Sequence, residues 1–174
     1  ARTRVAGGAA TMTMRAGHGF DAHRLVAGRK LVLGGVEVPF ERGALGHSDA
    51  DVVAHALADA LLGAAALGDL GERFPDTDAR WKDADSMELL AACAGAVRDA
   101  GFTICNVDAT IVVDRPKLAP LVARMRENVA SRLGIATSCV SVKAKTSEGM
   151  GYTGDGSGIA AFAVAALEER GAKR

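Results

Sequence analysis

Ser48-Asp49-Ala50-Asp51-Val52-Val53-Ala54-His55, running on through an Ala/Leu stretch to Leu67 and halted by Gly68, is the segment on which the architecture turns. Ser48 with Asp51 three residues later has the form of a capping box, Asp standing for the usual Glu, and predicts a helix from there to about Leu67. The segments before it read as strands. Arg15 to Phe20 opens as a short strand, and Lys30 to Pro39 as a β-hairpin in which Gly34-Gly35 supplies the positive φ of a tight turn. Downstream, Asp85-Ser86 caps a helix to about Ala100, closed by Gly101, and Phe102 to Asp114 is a long strand rich in β-branched residues. Leu118 to Leu133 is a third helix, ended by Gly134, and Val140 to Ala144 alternates as a strand. A glycine-rich loop spans Gly149 to Gly158, and Ile159 to Leu167 fits helix or strand because its alanines suit both. With no internal repeat and no second composition regime, this order predicts one α/β (α+β) domain.

Composition narrows the function classes. A chain of 174 residues buries about 70% of its unfolded surface in a single core. Lys plus Arg equal Asp plus Glu at 21 each, so no global field recruits nucleic acid or an anionic membrane. Aromatic residues are too scarce for base-stacking platforms. Cys93, Cys105 and Cys139 form no C-x-x-C pair and read as reduced core residues of a cytosolic protein. The Ala/Leu stretch is interrupted by His55 and Asp59, so it does not read as a membrane span. Ala1 to Thr13, small and polar with two arginines and no acid, reads as a disordered tail: an expression remnant, an upstream extension before Met14, or a trimmed transit peptide.

All four histidines lie between residues 18 and 55, three of them beside acids: Gly17-His18-Gly19-Phe20-Asp21-Ala22-His23 and His47-Ser48-Asp49-Ala50-Asp51-Val52-Val53-Ala54-His55. Neutral imidazole and carboxylate are what a zinc-like divalent ion takes when no thiolate is offered. Asp21 and His23, two apart, point the same way on an extended chain, and His55 lies about two turns into its helix on the side of Asp51. A single buried, hydrogen-bonded histidine is the ordinary alternative; the set together favours a metal.

Three further segments carry chemistry. Asp69 to Asp78 packs four acids and two helix breakers into ten residues, which is either a solvated loop or a polyol-binding one. Asp114-Arg115-Pro116-Lys117-Leu118 ends a strand and starts a helix, where free N–H groups and two cations can hold phosphate or ring edges, or simply punctuate the helix. Lys143-Ala144-Lys145-Thr146-Ser147-Glu148-Gly149 offers cations, hydroxyls and one carboxylate, the groups that bind a diphosphate with a hard cation. It lacks P-loop spacing, so ATP hydrolysis gains no support.

Gly-His-Gly-Phe-Asp-x-His, His-Ser-Asp-x-Asp-Val-x-x-His, Asp-x-Gly-x-x-Phe-Pro-Asp-Thr-Asp, Pro-Lys and Gly-x-Gly-x-Gly-Ile-Ala occur here in one order between Met14 and Leu167. In this the chain resembles the 2-C-methyl-D-erythritol 2,4-cyclodiphosphate synthase family. The resemblance implies a domain over residues 14–172 with a mixed β-sheet, helices packed on one face, and Ile159 onward as a strand. It also implies a homotrimer with active sites at subunit interfaces. Asp21, His23 and His55 would hold a zinc-like ion (Zn2+), and Glu148 a Mg2+ or Mn2+ on the diphosphate. His47 and Thr146 would be the catalytic side chains at the phosphates, with Ser48, Asp69, Gly71, Phe74, Asp76 and Asp78 around the erythritol part. Val113, Pro116, Lys117 and Leu118 would cradle cytidine, joined by Lys145, Ser147 and Tyr152.

The implied reaction starts from 4-diphosphocytidyl-2-C-methyl-D-erythritol 2-phosphate. Its own 2-phosphate attacks the β-phosphorus and CMP leaves, so the protein supplies alignment and charge stabilisation rather than a nucleophile. A cytoplasmic bacterial enzyme, or a plastid one if the tail is a transit remnant, is expected, with no nucleic-acid or membrane partner. Lys145 stands where the family commonly has a hydroxyl. Asp155 and Ser157 stand where arginine and glutamate are frequent, so anion binding in a central trimer channel is not expected of this chain. A zinc-dependent phosphohydrolase, needing an attacking water, and a non-catalytic trimeric binding module are the alternatives.

Overall fold

The computed structural model describes residues 13–75, 77–81 and 84–170. The tail before Thr13, the site candidate Asp76 and the end of the domain near residue 172 lie outside the described residues. Among the described residues seven strands and five α-helices follow in chain order. They are β1 (Met14–Ala27), β2 (Leu31–Leu33), β3 (Val36–Val38), β4 (Arg42–Ala44), α1 (Val52–Ala65), α2 (Leu70–Arg73), α3 (Ser86–Asp99), β5 (Phe102–Val112), α4 (Val122–Leu133), β6 (Val140–Lys145), α5 (Gly151–Gly154) and β7 (Gly158–Glu169).

Five strands make one mixed sheet in the order β4-β1-β7-β5-β6. β5 and β6 run parallel, joined by the α4 crossover, and every other pairing is antiparallel. β2 and β3 form the separate hairpin the sequence predicted, with Gly34 and Gly35 both at positive φ. The alanine-rich segment from Gly158 is a strand because it pairs along its whole length, with β1 on one side and β5 on the other. β1 is longer than the expected Arg15 to Phe20, since β7 continues to pair with it as far as Arg24 and β4 takes over at Leu25.

The helices lie on one face. On β1 and β7 the side chains alternate, Leu25, Ile159, Ala161 and Ala163 being buried beneath helices while Phe20, Phe162 and Val164 on the other face are exposed. α1 approaches β1 very closely because glycine occupies the facing strand positions. A Cβ on Gly19 would lie 1.9 Å from the Ala56 carbonyl oxygen, and one on Gly17 would lie 2.1 Å from that of Ala60.

The expected Ser48 capping box is not formed. Asp51 is the N-cap of α1, accepting from the N–H groups of Val53 and Ala54, and its other oxygen accepts from Gly35 of the hairpin turn at 2.8 Å. Ala66, in the left-handed conformation, ends α1 two residues before Gly68. Asp85 caps α3 as expected, and a 3₁₀ turn over Ala119–Leu121 precedes α4, which therefore starts later than Leu118. Of the cysteines only Cys93 is fully buried, its thiol pushed up to about 12 by that burial; Cys105 and Cys139 are half-buried.

Candidate active site and metal centre

Asp21 and His23 leave β1 on its helix-facing side, and α1 brings His55 over them from above. Asp21 Oδ2 lies 2.8 Å from His55 Nδ1 and 3.1 Å from His23 Nε2, and the two imidazole nitrogens are 3.5 Å apart. A tetrahedral ion with bonds of about 2.05 Å sets its ligands about 3.3 Å from one another. The three atoms already stand close to that spacing, so their chemistry and their separation both fit a zinc-like divalent ion. Among the described residues this is the only group of three metal-ligating side chains so placed.

Without a metal the same three groups form a charged cluster. Burial pushes Asp21 upward, but hydrogen bonds from His23 and His55 outweigh it and hold the carboxyl well below its usual range. Burial opposes charge on His55, yet the Asp21 carboxylate overrides it and raises the histidine above its ordinary value. Asp51, fully buried, is raised chiefly by that burial.

His47 and Ser48, on the loop from β4 to α1, border the cluster. With His23, His55, Phe74 and Trp81 they line a cavity of about 310 Å³. Phe74 and Trp81 meet edge to face, ring centres 4.9 Å apart, and form its apolar wall. Of the other residues expected around a sugar, Asp69, Gly71 and Asp78 do not line that cavity. Asp69 caps α2 through Glu72 N–H at 2.8 Å, Gly71 lies exposed within that helix, and Asp78 forks onto its neighbour Arg80.

The expected phosphate and cytidine segments follow β5 and β6. Across the sheet Asp21 is level with Ala161, Ile111 and Ala144. Both segments therefore share the end of the sheet that holds the metal cluster, and the β6 loop lies three strand spacings, about 14 Å, from it. Thr146 donates to Glu148, which itself adopts positive φ. Val113 and Leu118 are buried, while Lys117, Lys145 and Glu148 are exposed. Tyr152, on α5, reaches back toward β1 and shares a cavity of about 380 Å³ with His23 and Ser157.

Sequence reasoning missed Asp114 as an organiser. Its carboxylate accepts from Ser147 N–H at 2.7 Å and Gly149 N–H at 2.8 Å, which hold the Thr146 loop in place and depress the Asp114 pKa. It also missed Ser86 and Asp49 behind His55. Asp114 meets the Thr146 loop only through the parallel pairing of β5 with β6, and nothing local pairs Asp49 with Ser86 either.

The model of the YgbB family matches residues 14–168. The chain belongs to that family. A Trichlorobacter lovleyi protein named 2-C-methyl-D-erythritol 2,4-cyclodiphosphate synthase is 57% identical over 154 residues, covering 88% of this chain and 98% of that one. A protein of the same name from Burkholderia cenocepacia is 58% identical over 160 residues, 92% of this chain and 99% of that one. Among solved structures, a CDP-bound form of a synthase of that name superposes with a TM-score of 0.81 at 38% identity, covering 88% of this chain and 99% of that one. The bifunctional IspDF of Campylobacter jejuni gives 0.88 at 40% identity; it covers 91% of this chain, which spans 43% of that longer protein. The mixed-sheet fold and the family resemblance therefore stand. No helix among the described residues is long and apolar enough to cross a membrane.

Proposed function

We infer that the chain converts 4-diphosphocytidyl-2-C-methyl-D-erythritol 2-phosphate into 2-C-methyl-D-erythritol 2,4-cyclodiphosphate and CMP. It is a phosphorus–oxygen lyase of the non-mevalonate isoprenoid pathway. The observation that carries this is the convergence of Asp21, His23 and His55 beside the cavity of His47 and Ser48, in a chain 57% identical to a named synthase over nearly all of both.

Asp21, His23 and His55 hold a zinc-like ion, which when bound neutralises and polarises a phosphate oxygen. Glu148, the one carboxylate of the β6 loop, takes part in holding Mg2+ or Mn2+ on the diphosphate. His47 and Thr146 contact the phosphates, and the sugar lies against Ser48 and Phe74, the two expected sugar contacts that line the cavity. The Val113, Pro116, Lys117 and Leu118 turn, with Lys145, Ser147 and Tyr152, receives the cytidine diphosphate portion; CDP on a solved relative supports a cytidine-linked substrate. These residues orient the 2-phosphate toward the β-phosphorus. The new P–O bond forms as the bond to the bridging oxygen breaks, and that oxygen leaves with CMP.

The chain works as a homotrimer in this reading. The gap of about 14 Å between the metal cluster and the Thr146 loop supports sites completed by a neighbouring subunit. The apolar, helix-free sheet face gives such neighbours a surface, with Phe20 46%, Phe162 43% and Val164 47% exposed. The bacterial relatives favour a cytoplasmic enzyme over a plastid one. Turnover in oxygen-18 water tests the chemistry. Intramolecular attack gives CMP and cyclic diphosphate without label, whereas a labelled, ring-opened product as the main species rejects cyclisation in favour of a hydrolase.

A further inference from the structure

His55 presents its two ring nitrogens to different partners. Nδ1 faces Asp21 and His23, while Nε2 lies 2.8 Å from Ser86 Oγ and 3.2 Å from Ser48 Oγ. Ser86 is fully buried at the start of α3, and its hydroxyl donates to the Asp49 carboxylate. Ser48 Oγ lies 3.1 Å from Ser86 Oγ and accepts from Ala50 N–H. Asp49 also borders an open cavity of about 480 Å³ that none of the histidines line.

These contacts can be satisfied in only one direction once Nδ1 gives its lone pair to a cation. Nε2 then carries the ring proton and must donate it, and Ser86 Oγ is the nearest acceptor. Ser86 can accept that bond because its own proton goes to Asp49. We propose that Asp49 and Ser86 form a positioning relay, His55 Nε2–H to Ser86 Oγ–H to the Asp49 carboxylate, that fixes the tautomer and ring orientation of His55 and strengthens its Nδ1 as a metal ligand. The proposal rests on the reading of Asp21, His23 and His55 as a metal site. Histidine ligands commonly lean on a carboxylate through their second nitrogen, and loss of such a partner costs about 10- to 100-fold in metal affinity. Here a buried serine carries the link, because Asp49 sits on the loop before α1 and is joined to the ring only through the start of α3.

The test is zinc affinity of metal-stripped protein, measured by competition with a chromophoric chelator, for the wild type, Ser86→Ala, Asp49→Asn and the double variant. Each single change is expected to weaken zinc by about 10- to 100-fold. The double variant is expected to be no weaker than the weaker single, since both cut one chain. In the zinc-loaded wild type the His55 Nε2–H should give a slowly exchanging proton resonance that Ser86→Ala loses, a signature that a packing defect would not remove. If Ser86→Ala does not fold, Asp49→Asn, which keeps the shape of the side chain, decides by the same affinity and resonance. Affinity within twofold of wild type in either folded single variant, or fully additive losses in the double, overturns the relay. A wild-type protein that binds no zinc overturns the metal site and the relay with it.

Discussion

Gly19→Ala, a single methyl on a residue that is not itself a metal ligand, should dismantle the metal centre. The added carbon would stand 1.9 Å from the Ala56 carbonyl oxygen, a backbone atom that no rotamer change can move aside. Ordinary contact requires a separation larger by about 1.5 Å. At Gly19 β1 is held in its ladder with β7, Gly19 lying opposite Ala163, so the expected response is that α1 lifts. His55 is one residue from Ala56 and rides with it, whereas Asp21 is two residues from Gly19 and stays. Metal ligands tolerate errors of only about 0.2 Å, so a lift of that size separates His55 from the other two ligands. Overpacking of this kind costs about 1–3 kcal/mol, which for a chain of this length lowers the Tm by about 2–12 °C. The assay is thermal melting of the metal-free protein together with zinc stoichiometry by elemental analysis. A variant that melts with the wild type and keeps one zinc per chain would refute the argument that the glycine stripe sets the height of α1.

His55→Ala should lose bound zinc and nearly all turnover, because two remaining ligands rarely retain a catalytic ion; stoichiometric zinc in that variant would remove His55 from the ligand set. Glu148→Gln should keep zinc while losing dependence on added magnesium, and an unchanged magnesium titration would take Glu148 out of the site. In the metal-free protein, the His55 contribution to stability is fully present below about pH 6.5 and is lost as pH rises through its raised folded value, while the Asp21 contribution is present above about pH 3.8 and is lost as pH falls through its lowered one. The melting difference between metal-free wild type and His55→Ala should therefore shrink as pH rises above about 6.5; a difference that grows with pH contradicts the Asp21–His55 pair.

What the chain determined by itself are features whose cause lies within one element. Asp21 and His23 share a face because a strand alternates, Gly34-Gly35 turns because two positive φ values are needed there, and Asp85 caps α3 because its carboxylate reaches Met87 N–H two residues on. The clustering of histidines and acids between residues 18 and 55 pointed to a metal without a structure, but the set Asp21, His23 and His55 was implied only by the family resemblance, because His55 lies on a different element from the other two. Tertiary structure decided whatever depended on a distant partner. Gly158–Glu169 is a strand because two neighbours offer it a ladder along both edges, and its alanines alone cannot distinguish strand from helix. Asp51 rather than Ser48 caps α1 because the hairpin turn supplies Gly35 N–H to its other oxygen, which frees Ser48 to face His55. Asp49 and Ser86, 37 residues apart, meet only because α3 packs against α1, and that packing also sets Nε2 of His55 toward Ser86 while Nδ1 faces Asp21. Local spacing can nominate a ligand; only the packing of α1 and α3 around β1 brings it into register with its partners.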